Sequence, residues 1–277
     1  MRRFCFNENL PDRLPRSHAS PRSTLPFVPS QGPVLSLIIP VFNGADRLQS
    51  TLSALRDFLC TRDYSWELIL VDDCSAPAAS RQLSAFAHQM PSVTVLRNER
   101  NRGKGHSVAR GMLAATGAYR VFTDADLAYP LTEVERILAA LRGTADIAVA
   151  CRVLPESRYL MSPSFFSYLY TRHVMSRAYN LLVRLLLIPG ILDTQAGLKG
   201  FSAGAAEAVF AKITTPGFGF DVEALFIARL RGFTIVQTPV CFRYDEEPTT
   251  VRFAEDALRM TRDLARIRWN RWRGRYD

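Results

Sequence analysis

The chain has 277 residues, 48% hydrophobic and 22% charged, which provides for a sizeable core and argues against a fully disordered polymer. Lys and Arg outnumber Asp and Glu by 35 to 26, a net charge of +9 that suits anionic partners without choosing among nucleic acid, nucleotide diphosphates and acidic lipid headgroups. No run reaches the roughly 18 apolar residues of a spanning helix, no apolar leader opens the chain, and the five cysteines are scattered without a C-x-x-C pair, so a cytoplasmic location is expected.

Residues 1–33 carry six prolines, five arginines and little apolar periodicity, and read as a disordered basic tail. From Val34 the pattern changes. Val34–Pro40 is a short apolar run that predicts a buried strand. Leu48, Leu52, Leu55 and Leu59 predict a helix over 44–60, and Trp66–Val71 a second strand. A helix over 77–90, a strand over Val93–Leu96, a helix over 104–116 and a strand over Ala118–Thr123 follow, then a helix over 131–142 and a strand over Ile147–Ala150. Strands alternating with helices predict an α/β fold with a parallel sheet covered on both faces. Further on, a long helix over 163–188, strands over Gly197–Ser202 and Phe233–Tyr244, short helices over 203–212 and 221–231, and a basic helix over 249–273 are expected.

Ligands of such sheets bind beyond the carboxyl ends of the strands. The polar residues fall there: Asn43 after the first strand, Asp72 and Asp73 after the second, Asp124 and Asp126 after the fourth, Arg152 after the fifth. Two carboxylates one residue apart, as in Asp124-Ala-Asp126, suit a hard divalent cation such as Mg²⁺ or Mn²⁺, whose remaining shell is water and phosphate oxygen. They equally suit a solvated turn or the N-cap of the next helix. Asp72 and Asp73 can accept hydrogen bonds from a nucleobase imide or a ribose hydroxyl, or cap a helix.

Four segments occur in order: Ser36-Leu-Ile-Ile-Pro-Val-Phe-Asn43, Leu70-Val-Asp-Asp-Cys-Ser75, Asn101-Arg-Gly-Lys-Gly105 and Thr123-Asp-Ala-Asp126. Together they resemble the inverting GT-A-fold glycosyltransferases of family 2 type, over about residues 34–245. The expected organisation is then a Rossmann-like catalytic domain over 34–245 and a basic amphipathic C-terminal helix over 246–277. Ala150-Cys-Arg152, Asp193-Thr-Gln-Ala-Gly-Leu-Lys199 and Phe218-Gly-Phe-Asp-Val-Glu223 resemble the dolichyl-phosphate hexosyltransferase branch, its glucosyl members more than its mannosyl ones. One departure stands out: the family's Pro-x-Tyr-Asn-Glu is Pro40-Val-Phe-Asn-Gly44 here, without the acid or the phenol.

The resemblance implies roles. Pro40, Phe42, Asn43, Asp72 and Asp73 would line the base and ribose pocket. Gly103 and Lys104 would meet the diphosphate, Asp124 the nucleotide and metal, and Asp126 the metal. Arg152 and Lys199 would hold an anionic acceptor, with Asp193 and Gln195 orienting substrate and Asp193 a possible base. The implied reaction is metal-dependent hexose transfer, UDP-glucose favoured, to a polyprenyl phosphate. GDP-mannose as donor, or a soluble alcohol or polysaccharide as acceptor, are the alternatives. A nucleotidyltransferase fits the later segments poorly, and no nucleic-acid recognition motif accompanies the charge.

Such an acceptor lies in a bilayer, so peripheral contact with the cytoplasmic membrane face is expected. His173, Arg177, Asn180 and Arg184 form a polar stripe on the 163–188 helix, against Leu169, Val174, Ala178, Leu181, Leu182 and Leu185. Residues 259–275 add seven arginines with Trp269 and Trp272, beside an apolar stripe of Phe253, Ala257, Met260, Leu264 and Ile267. Each helix can instead be docked on the catalytic domain.

Overall fold

The computed structural model describes residues 32–161, 177, 179–244 and 253–277, with the side chains at 161, 244, 253–258 and 260 excepted. Residues 1–31 of the tail expected over 1–33, and Leu169, His173, Val174, Ala178, Phe253, Ala257 and Met260 as stripe side chains, lie outside the described residues.

The first half alternates as its periodicity requires: β1 (Leu35–Val41), α1 (Ala45–Cys60), β2 (Trp66–Asp72), α2 (Pro77–Gln89), β3 (Val93–Arg97), α3 (Lys104–Ala114), β4 (Tyr119–Phe122), α4 (Thr132–Arg142) and β5 (Ile147–Cys151). Then come β6 (Arg158–Met161), a helical stretch α5 (179–186), β7 (Lys199–Ser202), α6 (Ala203–Phe210), α7 (Phe220–Leu230), β8 (Ile235–Pro239), β9 (Cys241–Tyr244) and α8 (Phe253–Trp272).

Seven strands form one sheet in the order β3-β2-β1-β4-β7-β5-β8. Successive residues of a strand face opposite sides, and β1 feeds two cores accordingly. Leu35, Leu37, Ile39 and Val41 pack toward α1, α2 and α4, while Ile38 packs with Val108 and Met112 of α3 and with residues of α6 and α7. Burial on both faces explains why β1, β2 and β5 read as continuous apolar runs.

The sheet is mostly parallel, with one exception that positions the site. β7 runs antiparallel between β4 and β5, pairing Phe122 with Lys199 and Val149 with Lys199. Its first residues therefore lie where its neighbours end, and the loop over 190–198 is delivered to the same edge as the β4 and β5 termini. The single strand expected over Phe233–Tyr244 is two. β8 pairs with β5, and after Val240 the chain leaves for a separate ladder of β9 with β6. β6 had no counterpart in the sequence pattern.

The described part of each candidate membrane helix is docked. Val183 and Leu187, at the end of α5, are in the core, whereas Leu181, Leu185 and Leu186 are exposed. On α8, Leu264 and Ile267 are buried and Trp269 and Trp272 exposed. Asn180, expected on a solvated polar stripe, is half-buried and bonded to the 190–198 loop: it donates to the Leu192 carbonyl and its Oδ1 accepts from the Thr194 hydroxyl at 2.9 Å. Among the described residues no helix is long and apolar enough to cross a membrane.

Candidate active site

The ends of β1, β2, β4 and β5 form one polar edge. After β1 the chain turns through Asn43 and Gly44, both left-handed at φ 60° and 74°. Such a backbone suits glycine and disfavours the acid found in the resembling family. Asn43 stitches this turn to the start of α2. Its N–H donates to the Ser75 hydroxyl at 2.8 Å, and its Oδ1 accepts from the Ala76 N–H at 2.9 Å. Pro40 is half-buried, and Phe42 stands 54% exposed beside the turn, an aromatic face directed away from the core.

Asp72 and Asp73 are both buried, and their oxygens are engaged within the protein. Asp72 accepts from the Ser75 N–H at 2.8 Å and pairs with the Arg97 guanidinium. Burial pushes its carboxyl up, but the Ser75 bonds and Arg97 outweigh this and leave it below the ordinary carboxylate range. Asp73 accepts from the Asn98 amide at 2.7 Å and from the Arg102 and Gly103 N–H groups at 2.8 Å each. Of the two expected base-pocket carboxylates, Asp73 thus holds the loop that precedes α3, while Asp72 ties the end of β2 to Ser75 and Arg97.

That loop ends at Gly103, φ 88°, where a Cβ would come within 2.6 Å of the Pro216 carbonyl. The same carbonyl accepts from the Gly105 and His106 N–H groups at 2.8 and 3.3 Å. The Gly103 N–H is thus committed to Asp73, and those of Gly105 and His106 to Pro216. What the loop does present is the Lys104 ammonium.

Lys104 Nζ lies 2.6 Å from Asp124 Oδ1, both side chains partly exposed. Burial alone would pull the lysine down, but Asp124, Asp221 and Asp126 outweigh it and hold the group above its ordinary value, so it is charged. The Asp124 carboxylate rests on Gly197, where a Cβ would lie 2.2 Å from Oδ2, so only glycine fits. Asp126 is exposed two residues on, and its Oδ1 accepts from the Ala128 N–H at 3.0 Å. The turn carrying both is fixed by the Thr51 hydroxyl donating to the Ala125 carbonyl at 2.9 Å.

An oxygen-only pair on an open turn, beside a lysine, fits a hard divalent cation whose other ligands are diphosphate and water. It does not fit a softer ion, and among the described residues no group of three or more His, Cys, Asp or Glu gathers as a metal cluster.

The position of Lys199 corrects the role expected of it. It was expected to hold an anionic acceptor, yet it is wholly buried, its Nζ 2.5 Å from Asp221 Oδ1 and 2.5 Å from the Ala196 carbonyl. Burial pushes the Asp221 carboxyl up and the Lys199 ammonium down, and their contact opposes both shifts. Lys199 therefore braces the sheet below the crevice, out of reach of a ligand in this structure.

Arg152 fares differently. Its Nε and Nη2 grip Asp193 at 2.7 and 2.9 Å, and its backbone N–H adds a bond of 3.0 Å. Burial raises the Asp193 carboxyl, but Arg152 outweighs it and leaves the group below its usual range. A carboxylate so held is a poor proton acceptor, which weighs against the base role expected of Asp193. Gln195 sits half-buried in the same loop.

Three polar groups went unassigned in the sequence. Asp221 and Glu223 were quoted only as part of a resembling segment, although two acids opening the apolar run Phe220–Leu230 are a signal in themselves: buried charge needs a partner. Tyr129, just after the acidic pair, carries no such signal in the sequence. It is buried edge-on against Phe242, ring centroids 4.8 Å apart, between the Asp124 turn and the small β6–β9 ladder.

An acidic pair, a lysine and an arginine thus gather on one edge of a mostly parallel sheet, at the carboxyl ends of its strands. The glycosyl transferase family 2 domain matches residues 36–208, and the chain belongs to that family. It is a glycosyltransferase. Its curated relatives include dolichyl-phosphate beta-glucosyltransferases of Drosophila melanogaster (31% identical, over 86% of this chain and 75% of that one) and Homo sapiens (29%, over 89% and 79%). That of Dictyostelium discoideum is 28% identical over 85% of this chain and 74% of its own. Among solved structures, glucosyl-3-phosphoglycerate synthase from Mycobacterium tuberculosis, in complex with Mn²⁺, UDP and glucosyl-3-phosphoglycerate, shares the fold at a TM-score of 0.58. The match covers 87% of this chain and 80% of that one at 16% identity.

Proposed function

We propose that this glycosyltransferase moves a hexose, glucose by preference, from a uridine-diphosphate sugar to a polyprenyl phosphate at a membrane surface. The observation that carries the reading is the opposition of two charged clusters across one edge, Lys104 with Asp124 and Asp126 on one side and Arg152 with Asp193 on the other. The names of the curated relatives support the lipid phosphate and glucose. The neighbour that holds Mn²⁺ and UDP supports a divalent cation with a uridine nucleotide.

In this reading Phe42 stacks against the base and Asn43 frames its entrance. Lys104 exchanges Asp124 for the donor's diphosphate and neutralises charge there. Asp124 and Asp126 would hold Mg²⁺ or Mn²⁺, which supplies Lewis-acid stabilisation of the departing diphosphate. The acceptor oxygen bonds to the anomeric carbon as the bond to the diphosphate oxygen breaks, and the electron pair leaves with the nucleotide. A phosphate acceptor is already ionised near neutral pH and needs no general base, consistent with an Asp193 locked to Arg152. Arg152 then acts by charge at the acceptor side, with Asp193 and Gln195 fixing the loop around it.

The face of α5 and α8 suits the lipid surface. Leu181, Leu185, Leu186, Trp269 and Trp272 are exposed on it, and the Arg268 guanidinium reaches the Leu186 carbonyl at 3.3 Å, so the two segments adjoin. Arginine beside tryptophan fits an anionic interface.

The test incubates the protein with Mn²⁺ or Mg²⁺, UDP-glucose or GDP-mannose, and a polyprenyl phosphate or a simple alcohol. The expected product is polyprenyl-phosphate glucose, lost on chelation and reduced about 10²–10³-fold by Asp126→Ala, the scale of removing one transition-state charge contact. A mannosyl product, or transfer only to the alcohol, would replace the donor or acceptor named here. A signal that survives Asp126→Ala sinks the metal assignment.

A further inference from the structure

The segment over 211–219 has no regular structure, yet it forms the wall against which the Lys104 loop is built. The Pro216 carbonyl takes the Gly105 and His106 N–H groups, and Gly103 abuts the same carbonyl. Something must hold this wall in turn, and the bonds lead away from the crevice. Glu223 Oε2 accepts from the Thr214 and Thr215 N–H groups at 2.9 and 2.7 Å, and Oε1 accepts from the Thr214 hydroxyl at 2.6 Å. Glu223 is fully buried, so these bonds are its substitute for water.

The remaining bond to Glu223 comes from the far end of the chain. Beyond α8 the backbone turns through Gly274, and the Tyr276 ring enters the core, 2% exposed and edge-on to Phe226 at 6.1 Å. Its hydroxyl donates to Glu223 Oε1 at 2.6 Å. Asn270, also buried, donates to the Thr214 hydroxyl at 3.0 Å and approaches the Tyr276 hydroxyl at 3.4 Å. Asp263 of α8 meets the same segment at Gly219, where a Cβ would lie 2.5 Å from its Oδ2. Three residues of the C-terminal region thus converge on one loop.

We infer that Tyr276 and Asn270 are positioning residues for Lys104, acting through Glu223 and the Thr214–Pro216 wall. The inference rests on the proposed function in that Lys104 is taken to meet the donor's diphosphate. It makes the C-terminal segment a part of the donor site and not an appendage. Without the Tyr276 hydroxyl, Glu223 keeps its backbone partners but loses one of the bonds that fix its carboxylate. The Pro216 carbonyl, on the residue next to the last of them, then holds α3 less firmly. A side chain that reaches the ligand from the first turn of α3 loses register when that turn shifts.

The test uses the whole chain with Tyr276→Phe, which removes the hydroxyl and keeps the ring, and Asn270→Ala as a second variant. Leu83→Ala, in the opposite core on α2, serves as a purely structural comparison. UDP affinity in the presence of Mn²⁺ is read by titration, and exchange of the Gly105 and His106 amides by mass spectrometry. Both latch variants are expected to weaken UDP about three- to ten-fold and to speed exchange at those two amides by a similar factor. Leu83→Ala lowers Tm with UDP affinity unchanged. If Tyr276→Phe and Asn270→Ala lower Tm but leave UDP affinity and both amides as in the wild type, the network is only structural and the inference fails. If the wild type binds no nucleotide, the functional reading fails, and the amide exchange still decides the latch.

Discussion

Lys104–Asp124 and Lys199–Asp221 join the same two side chains at 2.6 and 2.5 Å, yet one pair stands partly in solvent and the other is sealed below it. The sealed pair has no water to replace either partner, so each charge is tied to the other and to the fold. The open pair can change partners at smaller cost, since water reaches both groups. What separates a candidate site residue from a brace is therefore not its chemistry or its distance from the crevice but whether it can change partners.

Lysine replacement should break this contrast most visibly if it is wrong. Lys199→Met strands a buried carboxylate and should cost about 3–5 kcal/mol of stability by urea denaturation, much of it recovered when Asp221→Leu is added. Lys104→Met should cost no more than about 1 kcal/mol, as expected of a pair that water can reach, while transfer falls at least about ten-fold. Equal losses of stability would mean that the two pairs are alike.

The Arg152–Asp193 pair lies between these extremes and sharpens the comparison through pH. Its folded carboxyl sits below the ordinary value, so it contributes stability that is present above the unfolded value near 4 and is lost as pH falls through the lower folded one. Arg152→Met reverses the sign, because a buried Asp193 without its arginine is pushed up. Unfolding free energies should then differ most at pH 7, by about 2–4 kcal/mol; the gap should narrow as pH falls through the raised value of the variant and close only below the lowered value of the wild type. A gap that stays constant from pH 7 to 3.5 would show that Asp193 draws nothing from the arginine.

The same contrast explains what was legible in the sequence. Strands buried on both faces announce themselves as apolar runs, and polar residues just after them must lie at the carboxyl edge, so Asn43, Asp72, Asp73, Asp124, Asp126 and Arg152 could be placed from pattern alone. Whether each faces a ligand could not. Asp73 is consumed by the Arg102 and Gly103 amides, and those partners follow from how the loop folds, not from its composition. Lys199 was misjudged because a strand of Lys-Gly-Phe-Ser gives no sign that its neighbours run antiparallel to it and enclose its ammonium beside Phe122. The latch was illegible for a further reason: Tyr276 and Glu223 are 53 residues apart, and no local rule joins them.

The smallest expected effect concerns α8, where sealed and open residues alternate along one helix. Ile267→Ala removes a wholly buried side chain and should cost about 2–4 kcal/mol of stability. Trp269 and Trp272, their rings tilted against each other with centroids 5.0 Å apart and more than half exposed, should together cost less than about 1 kcal/mol when both are changed to Ser. Their effect should appear at a lipid surface instead. Flotation with vesicles containing anionic lipid is expected to fall by a few-fold in the double variant, and the wild type should bind neutral vesicles less well. Raising salt to 0.5 M should weaken the arginine contribution, since the screening length shrinks to about 4 Å. The tryptophan contribution should persist, because apolar burial is insensitive to screening. If the double variant floats as well as the wild type at both salt concentrations, the exposed rings are surface decoration and the proposed lipid contact does not run through α8.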